Sequence, residues 1–545
     1  MTVNVAQAVG ATLAGLGVRT VFGVVGSGNF HVTNALVAGG ARFVAARHEA
    51  GAVTMADAYA RMSSEAGVVT VHQGPGLTNT LTGLAEAAKS RTPLLLLAGE
   101  ATSPRSNFYV DQDALAAAVG AVPARISVGR AAEDTAEAYR VAMTGRAVLL
   151  NLPLEVQAAG YAGTELPEAT PPELAEGVEG LEEFADVLLG ARRPVFVAGR
   201  GGRGARAELV ALADRVGALL ATSAVAKGLF RGSTWDLDVS GGFATPLAAE
   251  LIGDADVIVG WGCALNMWTM RHGTLIGPET TVVQVDHDQD AIGAHRPVSL
   301  GVVGDVAETA RRVLDLLDPR HVTTFRMGYR SPGLAERLAR EGRWRDVPYE
   351  DWGSGGRIDP RTLSIGLDDL LPDNRIIATD SGNFMGYPAM FMDVPDECGF
   401  VFTQAFQSIG LGLATAVGAA LARPDRLPVA ALGDGGALMG IAELETVVRL
   451  GLPMVIVVYD DEAYGAEVHH FGPDGFPLGT VTFPPADLAA IARGFGCDAL
   501  TVRDKEDLSG VAEWLKGPRD RPLLVHAKVA AERGSWWLEE AFRGH

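Results

Sequence analysis

Residues 433–467 read GDGGALMGIAELETVVRLGLPMVIVVYDDEAYGAE. The apolar run Leu427 to Leu432 precedes them and predicts a buried strand. Gly433-Asp434-Gly435-Gly436 then permits a tight turn, because glycine reaches backbone conformations closed to other residues. Ile441, Leu444, Val447 and Val448 recur at helical spacing, and Gly451-Leu452-Pro453 ends that helix. Met454 to Tyr459 predicts a second buried strand, closed by Asp460-Asp461. The stretch is a β-α-β unit with a carboxylate at the C-terminal end of each strand, the edge where open α/β sheets bind ligands. Two carboxylates there suit Mg²⁺, which is commonly held by one or two carboxylates with phosphate oxygens and water. Glycines also let backbone N–H groups approach a phosphate. The chemistry alone predicts a Mg²⁺-diphosphate site, against the alternative of a solvated turn beside an acidic strand end.

The same alternation extends outward in both directions. The N-terminal part gives an amphipathic helix (Val5, Val9, Leu13, Leu16). Strands follow at Val21–Val25, Phe43–Ala46, Val68–Val71 and Leu94–Leu97, with helices at Ala50–Met62 and Leu77–Lys89. A second unit runs from the strand Val195–Ala198 to about Leu317, and a third begins near Ile358. Pro- and Glu-rich residues 160–185 read as a linker, and the charged segment 326–351 as a second one on the surface. The fold class expected is α/β, with three doubly wound parallel-sheet domains at 1–165, 185–335 and 355–545.

Composition narrows the function classes. A net charge of −21 argues against a nucleic-acid partner. Cys263, Cys398 and Cys497 lie far apart, so neither a disulfide framework nor a zinc site is expected, and a reducing cytoplasm fits. The N-terminus lacks a signal-like pattern and no apolar run approaches a membrane span, so no membrane partner is expected.

A Gly-Asp-Gly turn, then a strand-ending acidic pair one helix later, resembles the diphosphate-binding motif of thiamine-diphosphate (ThDP) enzymes. The resemblance implies that Asp434, Asp461 and the main-chain carbonyl of Ala463 hold Mg²⁺. It also implies that Gly433, Gly435, Gly436, Tyr464 and Gly465 bind the cofactor. Most relatives have Asn where this chain has the Asp-Asp pair; a second carboxylate makes the site more negative. Two further stretches agree. Glu49, in Arg47-His48-Glu49-Ala50-Gly51 and followed by Tyr59-Ala60-Arg61, matches the glutamate that activates the aminopyrimidine. Read without the family, it is a first-turn carboxylate favoured by the helix dipole. Ser408-Ile409-Gly410 resembles the segment whose apolar residue wedges between the two cofactor rings, with Ser408 beside it.

His72-Gln73-Gly74-Pro75-Gly76 resembles a loop of acetolactate synthase-like enzymes, whereas His72 and Ser27 resemble substrate-binding residues of benzoylformate decarboxylase. Glu467 stands where pyruvate decarboxylase-like members carry a catalytic glutamate. The resemblance therefore implies attack on a 2-oxo acid, loss of CO₂, and either ligation to a second aldehyde or ketone carbonyl or protonation to an aldehyde. Ligation is the first expectation, decarboxylation the second, and a non-catalytic ThDP-binding paralogue the third. It implies a homodimer or homotetramer in which Glu49 of one subunit faces Asp434 of another. Gly199 to Gly204 is a formal G-x-G-x-x-G, but the next strand end, Ala221-Thr222-Ser223, lacks the acidic residue of a dinucleotide site. NAD is disfavoured, and FAD, which some relatives bind in this domain, is an alternative the motif does not favour.

Overall fold

The computed structural model describes residues 3–163, 179–317 and 327–541. Most of the linker expected over 160–185 lies outside them. Three six-stranded sheets, every neighbouring pair parallel, carry the chain. The first holds β1 (Thr20–Gly23), β2 (Arg42–Ala45), β3 (Gly67–Val71), β4 (Leu94–Glu100), β5 (Val122–Arg125) and β6 (Ala147–Pro153), in the order β2-β1-β3-β4-β6-β5. The second holds β7 (Pro194–Ala198), β8 (Leu219–Thr222), β9 (Asp236–Val239), β10 (Val257–Trp261), β11 (Thr281–Asp286) and β12 (Leu300–Val303), in the order β9-β8-β7-β10-β11-β12. The third holds β13 (Arg375–Thr379), β14 (Phe400–Phe402), β15 (Leu427–Gly433), β16 (Val455–Asp460), β17 (Asp498–Val502) and β18 (Leu523–Lys528), in the order β14-β13-β15-β16-β18-β17. The first and third sheets thus share one topology, and the middle sheet has the dinucleotide-fold order.

Strand order reverses between β1 and β3, between β7 and β10, and between β13 and β15. Loops leaving such neighbours open the crevice where doubly wound sheets take ligands. In the first sheet those loops carry Ser27 and His72; in the third they carry Asp380 and Asp434.

The first and third domains share one apolar core, in which Val69 and Leu96 join Ile376, Leu432 and Ile456. Its seam is the helix Glu49–Ser63 against the helix Gly412–Ala422. The backbones approach so closely that a Cβ at Gly418 would stand 2.1 Å from the Met55 carbonyl oxygen. The central domain builds its own cores on the two faces of its sheet.

Three expectations are corrected. The helix expected after Gly436 is two, Asp434–Met439 and Glu443–Arg449. The break at Gly440 lets the chain pass the Gly410 carbonyl, 3.0 Å from where a Cβ would be, and turns Glu443 toward the first domain. The helix expected over Leu77–Lys89 is likewise two, Pro75–Thr78 and Leu81–Lys89. There the Thr80 hydroxyl donates to the Leu77 carbonyl at 2.6 Å, competing with the helical ladder. The described part of the second linker contains a helix, Pro332–Glu341, capped by the Ser331 hydroxyl and docked on the central domain. Leu338 is buried there, and the Tyr329 hydroxyl donates to the Leu251 carbonyl at 3.0 Å. Not all its charges face outward: Arg330 is buried and donates to the Ala218 carbonyl at 2.9 Å.

Candidate functional site

The Asp434 carboxylate stands in the first turn after β15, where Gly433 caps the helix in an extended conformation. Burial, then repulsion from Asp461 and Asp460, pushes its pKa up to about 8. Burial also raises Asp461, to about 6, against a hydrogen bond from Asn383 Nδ2 at 3.2 Å. Carboxylates held this close in a half-buried crevice favour a compensating cation.

The third expected ligand has matching geometry. Ala463 bridges Thr482 in antiparallel fashion, with Phe483 N–H donating to Glu462 O at 2.9 Å and Tyr464 N–H to Val481 O at 2.8 Å. This pairing turns the Ala463 carbonyl away from the neighbouring segment, and no described residue donates to it. No group of three or more His, Cys, Asp or Glu side chains arranged for a metal occurs among the described residues. A two-carboxylate, one-carbonyl donor set completed by phosphate oxygens requires no such group, so the residues present fit Mg²⁺. Glycine is required at two of the expected cofactor-binding positions by close packing: a Cβ at Gly435 would lie 2.5 Å from the Tyr464 ring, and one at Gly465 2.1 Å from Asp461 Oδ2.

The acidic pair is less negative than the sequence suggests. Asp460 turns away from Asp434 toward β18, where His526 Nε2 and Lys528 Nζ reach its Oδ2 at 2.5 and 2.6 Å. These bonds hold Asp460 below the ordinary carboxylate range although burial opposes it.

Ile409 is half-buried in a loop, not a core residue, and the Ser408 hydroxyl donates to its carbonyl at 3.2 Å. Two carboxylates fasten this loop. Asp380, at the end of β13, accepts Gly410 N–H at 3.0 Å, and Glu86 of the first domain accepts Ala405 N–H at 3.1 Å and Phe406 N–H at 2.6 Å.

In the first domain, Glu49 begins its helix behind the His48 cap, and Asn79 Nδ2 donates to Glu49 Oε2 at 3.0 Å. Glu443 steadies the approach by accepting the backbone N–H groups of Arg47 and His48 at 3.0 and 3.1 Å. His72 lies 2.8 Å through Nδ1 from the Gln73 carbonyl and 3.2 Å through Nε2 from Ser27 Oγ. A carbonyl only accepts, so Nδ1 carries a proton, and Nε2 pairs with the Ser27 hydroxyl. The Phe108 ring packs edge-on against His72 with centroids 5.2 Å apart, and a Cβ at Gly26 would collide with the imidazole.

Glu467 is half-buried on the short helix Gly465–Phe471, just after the acidic pair. Among the described residues, Glu49 and Asp434 share no hydrogen bond or ion pair within the chain.

Sequence reading missed Asn383, Glu86, Glu443 and Lys528. Lys528 alone left a signal, a lysine ending a buried strand, Leu523–Lys528; the others act on backbone or side chains remote in sequence.

In the central domain a cavity of about 390 Å³ opens at the switch point, lined by Arg200, Gly201, Ser223, Gly262 and Cys263, with Arg61 and Gln404 from the flanking domains. Gly199 and Gly201 serve backbone packing: a Cβ at Gly199 would lie 2.3 Å from the Gly262 carbonyl oxygen, and one at Gly201 2.8 Å from the Gly262 Cα.

Family comparison agrees domain by domain. Residues 3–119 match the N-terminal TPP binding domain of thiamine pyrophosphate enzymes, residues 181–313 their central domain, and residues 380–527 their C-terminal TPP binding domain. Thiamine pyrophosphate is another name for ThDP. The chain is 30% identical to a probable 2-ketoarginine decarboxylase of Pseudomonas aeruginosa, over 93% of this chain and 90% of that protein. It is 27% identical to the acetolactate synthase isozyme 2 large subunit of Escherichia coli, over 98% and 97%. It is also 27% identical to a sulfoacetaldehyde acetyltransferase of Castellaniella defragrans, over 91% and 88%. With all three domains matched in order and near full-length similarity, the chain belongs to the thiamine-diphosphate-dependent enzyme family.

Proposed function

We propose that this enzyme removes CO₂ from a 2-oxo acid in a Mg²⁺- and ThDP-dependent reaction and then protonates the resulting carbon, releasing an aldehyde. The observation behind this choice is the Ser27–His72 pair at the switch point of the first sheet. Ligation stood first on sequence grounds; this pair reverses the order, and similarity to a decarboxylase supports the change. Ligation to a second carbonyl is the second reading, favoured by the Gly74-Pro75-Gly76 loop and similarity to an acetolactate synthase.

When bound, ThDP supplies a nucleophilic carbon and accepts the electron pair left by departing CO₂. Asp434, Asp461 and the Ala463 carbonyl would hold Mg²⁺, and Gly433, Gly435, Gly436, Tyr464 and Gly465 the diphosphate. Glu49, kept in place by Asn79, would exchange a proton with the aminopyrimidine. Ile409 and Ser408 would support the rings. Ser27 and His72 orient the substrate carboxylate and the developing alkoxide, with Phe108 keeping the imidazole in place. Glu467 delivers the proton, and its carboxylate is recharged from solvent. Central-domain FAD has no part in this reading.

The working enzyme is a homodimer or homotetramer in which Glu49 and Asp434 meet across a two-fold interface. Exposed Leu438 and Met439 beside Asp434, and Phe30 and Phe108 beside Ser27 and His72, support burial of both surfaces by a second copy. Among the described residues no helix is long and apolar enough to cross a membrane, and the three cysteines are free. A cytoplasmic setting belongs to the same reading.

The test is product analysis by NMR with a panel of 2-oxo acids, alone and with aldehydes. Glu467→Gln should depress aldehyde formation more than hydroxyketone formation, and His72→Ala should slow both. Unchanged rates and product ratio in Glu467→Gln would remove that residue from the mechanism.

A further inference from the structure

The turn that carries two of the expected metal ligands is held from behind. Glu462, between Asp461 and Ala463, has φ +60°, the left-handed region that is strained for a residue with a Cβ. Such a conformation persists only when its surroundings enforce it. Here they do so through charge. Lys528 Nζ, nearly buried at the end of β18, donates to Asp460 Oδ2 at 2.6 Å and to Glu462 Oε1 at 3.0 Å. Arg357 Nη2 donates to Glu462 Oε2 at 2.7 Å. Asp460 Oδ1 in turn accepts Glu462 N–H at 3.0 Å. One ammonium therefore bridges the residues on either side of Asp461, and a guanidinium closes the far side of Glu462.

Neither cation hydrogen-bonds to Asp434 or Asp461. Both bear on the backbone that sets where the Asp461 carboxylate and the Ala463 carbonyl point.

We propose that Lys528, assisted by Arg357, is a positioning residue for the metal site: it neutralises Asp460 and clamps the left-handed turn at Glu462, so that Mg²⁺ affinity depends on a lysine that does not touch the metal. This rests on the metal site read above. It also accounts for how the chain carries an Asp-Asp pair, since the first carboxylate is matched by a cation of its own. Burying that carboxylate without Lys528 would leave His526 Nε2, at 2.5 Å, as the remaining partner of its Oδ2, beside Asp434 and Asp461.

The test is the Mg²⁺ concentration at half-saturation of ThDP binding to the apoprotein, followed by calorimetry and tryptophan fluorescence without substrate. Lys528→Met should raise it at least about 10-fold, because a buried ion pair loses one partner. Asp460→Asn in that background should restore it to within about 3-fold, because the orphaned charge is gone. Lys528→Arg should retain most of the wild-type affinity. Should Lys528→Met fail to fold, Arg357→Leu carries the test, with a rise of several-fold expected.

Wild-type affinity in Lys528→Met, or a double variant as weak as the single one, overturns the proposal; so does unchanged affinity in Arg357→Leu. Asp434→Ala separates this from failure of the site itself. If that variant binds ThDP with unaltered Mg²⁺ dependence, the metal site is wrong and the clamp falls with it. If it loses Mg²⁺-dependent binding while Lys528→Met keeps it, the site stands and only the clamp is wrong.

Discussion

Glu86 of the first domain holds the backbone of Phe406 in the third, accepting its N–H at 2.6 Å three residues before Ile409. Arg61, itself buried, donates to Glu86 at 2.8 Å and to the Phe402 carbonyl at 3.0 Å, so the wedge loop is tied to the first domain at two points. Gln407, between these ties and Ile409, has φ +62°. Glu86→Ala should cost about 1–3 kcal/mol, because the buried Arg61 guanidinium loses a partner and two part-buried N–H groups lose their acceptor. It should also weaken ThDP binding. Thermal unfolding and cofactor titration check the two effects separately; unchanged ThDP affinity in a destabilised variant would make Glu86 structural only.

Asp380 fastens the other end of the loop and gives a pH signature. Burial pushes its carboxyl from the ordinary 3.8 up to about 6, although backbone N–H groups of Ser381 and Gly410 pull the other way. The folded state thus binds this proton more tightly than the unfolded chain. Its contribution to stability is full below pH 3.8 and is lost as pH rises through about 6. The span corresponds to about 3 kcal/mol. Asp380→Asn should abolish that slope, so the stability advantage of wild type over variant should fall as pH rises from 4 to 7. Parallel curves across that range would contradict it.

Glu49→Gln should lower turnover by at least about 100-fold, the ordinary scale for losing a positioned proton carrier, with unchanged circular dichroism. Asn79→Ala should have a smaller effect in the same direction, since Asn79 only orients the carboxylate. Steady-state rates at saturating ThDP decide this, and a wild-type rate in Glu49→Gln removes the residue from its assigned role.

The central domain should purify without flavin. Gly199 and Gly201 of its glycine turn pack on the Gly262 backbone, and no acidic side chain follows at the end of β8. A flavin band near 450 nm in freshly purified protein would overturn this.

The sequence carried the architecture because buried parallel strands announce themselves as apolar runs ending in glycine or acid, as at Leu427–Asp434. It misjudged helix ends at Gly440 and Thr80, where local bonds and a passing loop decided the matter. The candidate metal residues were legible because they are contiguous with strand ends. The residues that hold them were less so: Asn383 reaches Asp461 and Lys528 reaches Asp460 only once the third sheet has formed, and Glu86 reaches Phe406 only once the first domain packs on the third. The apparent excess of negative charge at Asp460-Asp461 was misread for the same reason, since its counter-charges come from a strand more than sixty residues later.

The most direct test of the account is consumption of a 2-oxo acid panel by the protein loaded with ThDP and Mg²⁺, followed by ¹³C NMR from carboxyl-labelled substrates. The account predicts labelled CO₂ from at least one 2-oxo acid, lost when ThDP or Mg²⁺ is withheld and in Glu49→Gln. Protein shown by calorimetry to hold ThDP, yet releasing no CO₂ from a broad panel of aliphatic, aromatic and cationic 2-oxo acids, would contradict it.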